Sequence, residues 1–311
     1  MDKQATRDAY GKALVELGQL HDNIVVLDAD LSKSTKTADF AKAFPERFIN
    51  AGIAEQNMVG MAAGLAAAGK VVFASSFAIF ATGRAFEQVR NSLAYANLNV
   101  KICATHSGIT VGEDGGSHQS VEDIAVMRSI PNLSVIVPAD GVSTRLALFR
   151  LYEQPGPVYL RLGRPALPLL YKDDTDFQIG RGIELRQGRD ATVIACGGMV
   201  SLALEACRIL AEEGIQVSLV DMHTIKPLDQ DLIIRKAKET GAILTVEEHN
   251  IIGGLGGAVC EAVSENYPIP VKRMGIEDVF GQSGKPDELM QYYGLTVDKI
   301  VQNIRLLLKK K

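Results

Sequence analysis

Two successive α/β domains, each a parallel sheet with helices on both faces, are what this sequence predicts, and three observations predict them. Short apolar runs alternate with helix-period stretches along nearly the whole chain, the pattern of strands joined by crossover helices. The alternation breaks once, between Pro165 and Asp190, where Pro165, Pro168, Asp173, Asp174, Gly180 and Gly188 fall with little periodicity. Such a stretch reads as an inter-domain linker with room for a short hairpin. The length of 311 residues, 47% of them hydrophobic and 23% charged, suits about two soluble cores.

In the first domain, apolar runs of strand length predict strands at 24–27, 47–50, 71–74, 100–104, 134–137 and 158–162. Longer amphipathic stretches between them predict helices at 6–20, 55–68, 84–96, 121–128 and 142–152. After the linker the same logic predicts strands at 191–195, 217–220, 242–246 and 271–275, and helices at 200–213, 230–240, 257–264 and 297–308. There is no internal repeat and no low-complexity tract.

The formal net charge is −4, and the one basic cluster, Lys309 to Lys311, is a chain end that reads as a solvated tail. Nucleic acid and anionic membrane surfaces need clustered Lys and Arg, so neither is expected as a partner. The four cysteines, Cys103, Cys196, Cys207 and Cys260, form no C-x-x-C pair and sit in apolar segments. They read as buried free thiols in a reducing compartment, not as a metal site or disulfide framework. The first residues lack an apolar signal core, and no run of 18 apolar residues occurs, so the cytoplasm is the expected location.

The segment Asn50 to Met58 reads as a strand exit, a tight turn and a helix start, with Glu55 on the first helical turn. Glu55, Val59, Ala62 and Ala66 share one helical face at spacings of four, three and four. This aligns the carboxyl with an apolar stripe, where it can hold or share a proton with a heteroaromatic nitrogen. A plainer reading is also open: an acid in a first turn complements the helix dipole.

Three further segments carry chemistry-bearing residues. The loop Thr105 to Gln119 follows a strand directly and holds His106, His118, Glu113, Asp114 and four glycines. Such a loop suits a ligand site at the carboxyl edge of an α/β sheet, its alternative being a polar surface loop. Phe77 and Phe80 sit three apart just past another strand, either as a stacking wall for a flat ring or as ordinary core. Arg7, Ser34 and Arg164 fall at element edges; an Arg just past a strand can grip a phosphate or serve as a surface ion-pair partner. In the second domain, the run Glu247 to Gly257 invites a nucleotide reading but fails it. Gly254 and Gly256 are present, yet Val259 stands where a third glycine belongs. Close turns into the following helices account better for this run and for Cys196-Gly197-Gly198.

Taken in order, these segments resemble the C-terminal half of transketolases over essentially the whole chain. The matching pieces are Ala5-Thr6-Arg7, Asp28-Ala29-Asp30-Leu31, Gly52-Ile53-Ala54-Glu55, Ser75-Ser76-Phe77 with Arg84-Ala85-Phe86, Thr105-His106-Ser107-Gly108 and Gly112-Glu113-Asp114-Gly115. They continue through Pro138-Ala139-Asp140-Gly141, Arg161 to Pro165, and Val246 to His249. The resemblance implies a thiamine-diphosphate-binding pyrimidine domain at 1–166, a linker at 167–189 and a transketolase C-terminal domain at 190–311. It implies that Glu55 hydrogen-bonds N1′ of the cofactor's aminopyrimidine and promotes deprotonation of thiazolium C2, which then attacks a ketose carbonyl. It further implies that Phe77 and Phe80 pack on the pyrimidine and that Asp30 lies near the cofactor. His118 would face the reacting carbons. Arg7, Ser34, His106, Asp114, His118 and Arg164 would hold the sugar phosphate. Some members carry a further aromatic where Gly83 stands.

The Gly-Asp-Gly segment that holds the diphosphate and metal in the family occurs nowhere in this chain. The resemblance therefore implies the small subunit of a split enzyme. Its N-terminal partner would supply the diphosphate grip and the Mg²⁺ or Ca²⁺, two copies of each assembling as α2β2. The β subunit of a 2-oxoacid dehydrogenase E1 component shares the architecture and the glutamate, but the Gly112 to His118 loop and the phosphate-pocket matches fit sugar phosphates better. A non-catalytic scaffold of the same fold is the rival from another class, and retention of Glu55, His106 and His118 speaks against it.

Overall fold

The computed structural model describes residues 2–311 and arranges their strands in three sheets. The strands are β1 (Lys3–Ala5), β2 (Ile24–Asp28), β3 (Phe48–Asn50), β4 (Val71–Phe77), β5 (Val100–Thr105), β6 (Ser134–Ile136) and β7 (Val158–Arg161). Then come β8 (Ala166–Pro168), β9 (Ile183–Arg186), β10 (Ala191–Ala195), β11 (Val217–Asp221), β12 (Thr224–Lys226), β13 (Ile243–Asn250) and β14 (Val271–Ile276). The larger sheet runs β12-β6-β7-β5-β4-β2-β3 and is parallel except for β12. The second runs β14-β13-β10-β11-β9 and is parallel except for β9.

The central strands are fully buried, as parallel strands covered on both faces must be. One face of the larger sheet packs on helices Thr6–Leu20 and Gly141–Glu153 through Tyr10, Leu14, Leu17, Leu148 and Leu151. The other receives helix Glu55–Ala67 through Met58, Val59 and Ala62. That second core continues into the other domain through Met222, Ile225, Ile233 and Val259, so the two sheets share apolar contacts.

The two-domain α/β reading agrees with the structure, with four local corrections. Both sheets carry an antiparallel edge strand, so neither is wholly parallel. The linker forms no hairpin: β8 pairs with β1 and β9 pairs with β11, two different partners distant in sequence. β12 comes from the second half of the chain yet extends the first sheet. The helix expected at 84–96 is broken into π-helical turns at Phe80–Arg84 and Val89–Tyr95 around a short α-turn, Phe86–Gln88. The first of these is closed by the Ala85 N–H donating to the Phe80 carbonyl at 3.3 Å. π-turns inside helices frequently mark functional sites.

Candidate active site

Parallel strands place all their carboxyl ends on one edge of a sheet, and the loops leaving that edge in the larger sheet carry most of the residues singled out above. Asp30 and Ser34 follow β2, Glu55 follows β3, Phe77 ends β4, His106 to His118 follow β5, and Arg164 follows β7. Arg7 joins them from the first turn of helix Thr6–Leu20.

Glu55 begins its helix and is 2% exposed. Both its oxygens accept from Nη1 of Arg84, at 3.1 and 3.2 Å. The Arg84 guanidinium lies over the Phe80 ring, 4.4 Å from its centroid. Phe80 in turn is stacked with Phe77 at 5.9 Å, and Phe77 with His106 at 3.9 Å. His118 stands edge-on to Phe80 at 5.4 Å. The carboxylate thus ends a continuous wall of flat side chains, in which Phe77 is buried and Phe80 only half-buried.

The other end of the wall is cationic. Arg7 Nη1 donates to the Ser34 carbonyl and to His106 Nε2, both at 3.1 Å. Since Nε2 accepts there, the ring proton sits on Nδ1 and is donated to Thr105 Oγ1 at 2.8 Å. Burial, then the charges of Arg7 and Arg164, push His106 down to about 3. Arg7 Nε is buried with no partner among the described residues, a donor free for an anionic oxygen. Arg164 Nη1 donates to the Val111 carbonyl at 2.5 Å and lies 3.5 Å from Asp114 Oδ2. Lys36, paired with Asp8 at 3.2 Å, adds positive charge beside His106. Asp30 stands apart from both groups: its backbone N–H donates to Asn50 Oδ1, and its carboxylate accepts from Asn50 Nδ2.

A neutral His106 has a measurable consequence. Its folded value lies below that of the unfolded chain, near 6.5, so between pH 6.5 and about 3 the unfolded state binds the extra proton. The stability this side chain contributes is therefore complete above pH 6.5 and declines as pH falls toward 3. In imidazole NMR of the chain, the ring assigned as His106 by its loss in His106→Asn should not titrate between pH 5 and 8. A midpoint inside that window would contradict the hydrogen-bond assignment.

Several residues that hold this edge in shape were invisible in the sequence. Burial raises the Asp28 carboxyl. It accepts from the Leu31 N–H at 2.5 Å and from the Thr35 and Thr37 hydroxyls at 2.6 and 2.9 Å, which folds the loop carrying Ser34. The loop after β5 is clamped to the second domain: Thr110 N–H donates to Glu248 Oε1, Gln119 Nε2 to the Gln282 carbonyl, and Ser283 Oγ to the Glu113 carbonyl. Gly108 is required where the loop crosses Glu248, because at φ +75° a Cβ would stand 2.2 Å from Glu248 Oε1. Beneath the loop, Arg161 donates to Asp123 at 2.7 and 3.1 Å and to the Glu248 carbonyl at 3.0 Å. Burial raises the Asp123 carboxyl most, but the Arg161 charge, the Arg161 and Tyr159 hydrogen bonds and nearby His249 together outweigh it and hold that group below the usual carboxylate value. The Asp28 contacts are local, but those of the β5 loop and of Arg161 join residues 38 to 170 positions apart, so no local pattern announces them. Asp28, Arg84, Gly108, Arg161 and Glu248 did lie within matched segments, but no role came from them.

The glycine-rich stretch of the second domain is occupied by its own chain. Glu247 accepts the Leu255 and Gly256 N–H groups, both at 2.7 Å, and so caps helix Leu255–Asn266. A phosphate has no free helix start there, as the failed motif indicated. Three of the cysteines are buried, and all four are unpaired. Among the described residues no three His, Cys, Asp or Glu side chains group in a metal-binding cluster, and no helix is long and apolar enough to cross a membrane.

Comparison with known proteins bears on this arrangement. The family model for the transketolase pyrimidine-binding domain matches residues 2–168, and that for the transketolase C-terminal domain matches residues 180–300. A protein of Methanocaldococcus jannaschii, provisionally named a transketolase C-terminal section, is 55% identical over 308 residues, covering 98% of this chain and 96% of its own. The 6-deoxy-6-sulfo-D-fructose transketolase subunit of a Clostridium species is 42% identical, covering 97% of this chain and 94% of its own. Among solved structures, a split-gene transketolase described as an inactive β4 tetramer superposes with a TM-score of 0.91 at 54% identity, covering 99% of both chains.

Proposed function

The chain belongs to the transketolase family, and on that footing we propose that it is the pyrimidine-side subunit of a split transketolase. In this reading it works with a separate diphosphate-binding subunit to transfer a two-carbon ketol unit between sugar phosphates. The observation that carries the reading is the sheltered Glu55 carboxylate at one end of the Phe77–Phe80 wall, with the Arg7, His106 and Arg164 pocket at the other. Relatives of nearly the same length are named as transketolase subunits or sections, which supports the split arrangement.

The residues present suit thiamine diphosphate. A flat aminopyrimidine needs an aromatic face and a water-excluded acid, and Phe80 with Glu55 offers both. Bound there, the cofactor supplies the carbon that makes and breaks bonds beside a carbonyl. Glu55 exchanges a proton with the ring nitrogen, Phe77 and Phe80 fix the ring plane, and His118 faces the reacting end. Arg7, the Ser34 loop, His106, Asp114 and Arg164 orient the sugar phosphate. Asp30, at the rim, contributes to the cofactor side through its loop. We assign the Mg²⁺ or Ca²⁺ and the diphosphate grip to the partner subunit, in an α2β2 assembly. The unpaired thiols suit a reducing cytoplasm, where sugar-phosphate interconversion such as that of the pentose phosphate pathway takes place. We keep residues 1–166, 167–189 and 190–311 as pyrimidine domain, linker and C-terminal domain.

The test is a substrate panel given to the chain mixed with its diphosphate-binding subunit, thiamine diphosphate and Mg²⁺. Ketose phosphates should donate the two-carbon unit. Arg7→Ala should lower kcat/KM for phosphorylated substrates by about ten- to hundredfold, the worth of a charge-assisted hydrogen bond, while leaving unphosphorylated ketoses little changed. Turnover of 2-oxo acids with no ketol transfer would replace this reading with the E1-type one.

A further inference from the structure

Arg84 makes two contacts with the elements assigned above to the cofactor. Its Nη1 lies 3.1 and 3.2 Å from the two oxygens of Glu55, and its planar head lies 4.4 Å over the ring of Phe80. Those correspond to the interactions proposed for the aminopyrimidine there: a hydrogen bond, with a shared proton, between ring nitrogen and acid, and stacking on the aromatic. Two flat groups cannot stack on that face of Phe80 and donate to Glu55 in the same place at once. The contact has a physical reason in the cofactor-free chain, because a carboxylate 2% exposed is costly without a compensating charge. The arginine is also free to leave. Its side chain is 51% exposed, it ends the π-helical turn Phe80–Arg84, and nothing lies within 4 Å of a Cβ built on the preceding Gly83.

We propose that Arg84 is a stand-in for the cofactor's aminopyrimidine: it neutralises Glu55 and covers Phe80 in the free subunit, and swings into solvent when the cofactor enters. The inference rests on the assignment of Glu55 and Phe80 to the cofactor. The cofactor then binds against an internal competitor, and part of its affinity is spent in displacing the guanidinium. Arg84 is accordingly a positioning residue that sets occupancy, not a group that touches the reacting atoms.

The experiment has two measurements. First, thiamine diphosphate is titrated calorimetrically into the assembled complex with Mg²⁺. Arg84→Met should tighten Kd about five- to fiftyfold, while Lys33→Met, an exposed control, should not change it. An unchanged or weaker Kd in Arg84→Met overturns the proposal. Second, thermal unfolding of the isolated chain is measured in a double-mutant cycle. Arg84→Met should lower Tm in the wild-type background and much less in Glu55→Gln, where no charge remains to be neutralised. Equal losses in both backgrounds also overturn it. If the wild-type complex takes up no cofactor, the proposed function falls and this inference with it; if it binds cofactor but Arg84→Met binds no tighter, only the inference falls.

Discussion

Glu55→Gln in the assembled enzyme is expected to slow proton–deuterium exchange at cofactor C2 by about 10²–10⁴-fold, the usual worth of a general acid–base group. The substitution isolates the acid function. Glutamine keeps the shape and a hydrogen-bonding oxygen, and the apolar neighbours Met58, Val59 and Ala62 anchor the helix either way. An amide cannot release and recover a proton, so the variant would keep a hydrogen bond to the ring nitrogen and lose the proton exchange proposed for Glu55. The variant should fold, and far-UV circular dichroism should match wild type. Exchange is read by NMR after quenching samples of the loaded complex in deuterated buffer. A rate equal to wild type would remove Glu55 from the chemistry and leave it the plainer role of complementing a helix dipole.

The second large effect is all-or-none. A chain of these 311 residues is expected to give no ketol transfer alone and to bind thiamine diphosphate weakly, and addition of the diphosphate-binding subunit with Mg²⁺ should restore activity. The physical reason lies in what the site offers. One wall presents an acid, aromatic faces and a cationic pocket, whereas the family's diphosphate-binding segment occurs nowhere in the sequence. A diphosphate with its metal is the most strongly charged part of the cofactor, and without a grip on it the ring contacts alone must hold the molecule against the competing Arg84. Full activity from the isolated chain would refute the split arrangement, and activity only in the mixture would support it.

Legibility in the sequence varied with how local the signal was. Helices Thr6–Leu20, Gln230–Thr240 and Val297–Leu308 have the bounds their amphipathic patterns predicted, because a helix face is encoded by neighbours three and four positions apart. β4 runs to Phe77, three residues beyond expectation. Ser75 and Ser76 look like a strand end but are buried, and Ser75 Oγ lies 2.6 Å from the hydroxyl of Tyr10, 65 residues away. The linker strands β8 and β9 were unreadable for a related reason: each is defined by a partner outside its own segment. The π-turns at Phe80–Arg84 and Val89–Tyr95 escaped notice because one extra residue per turn leaves composition unchanged while rotating the rest of the helix.

Apolar periodicity and the buried face of Glu55 arise from spacings within a dozen residues, and the motifs are each local and recur in order along the chain, so the chain's own letters were enough for the α/β class and the family. Whom each polar group meets was a matter for the assembled fold. The pairing of Glu55 with Arg84, of Arg7 with His106 and of the β5 loop with Glu248 spans 29, 99 and 138 positions. Sheet order and domain packing choose such partners, since hydrogen bonds and ion pairs act over a few ångströms of space and not along the chain.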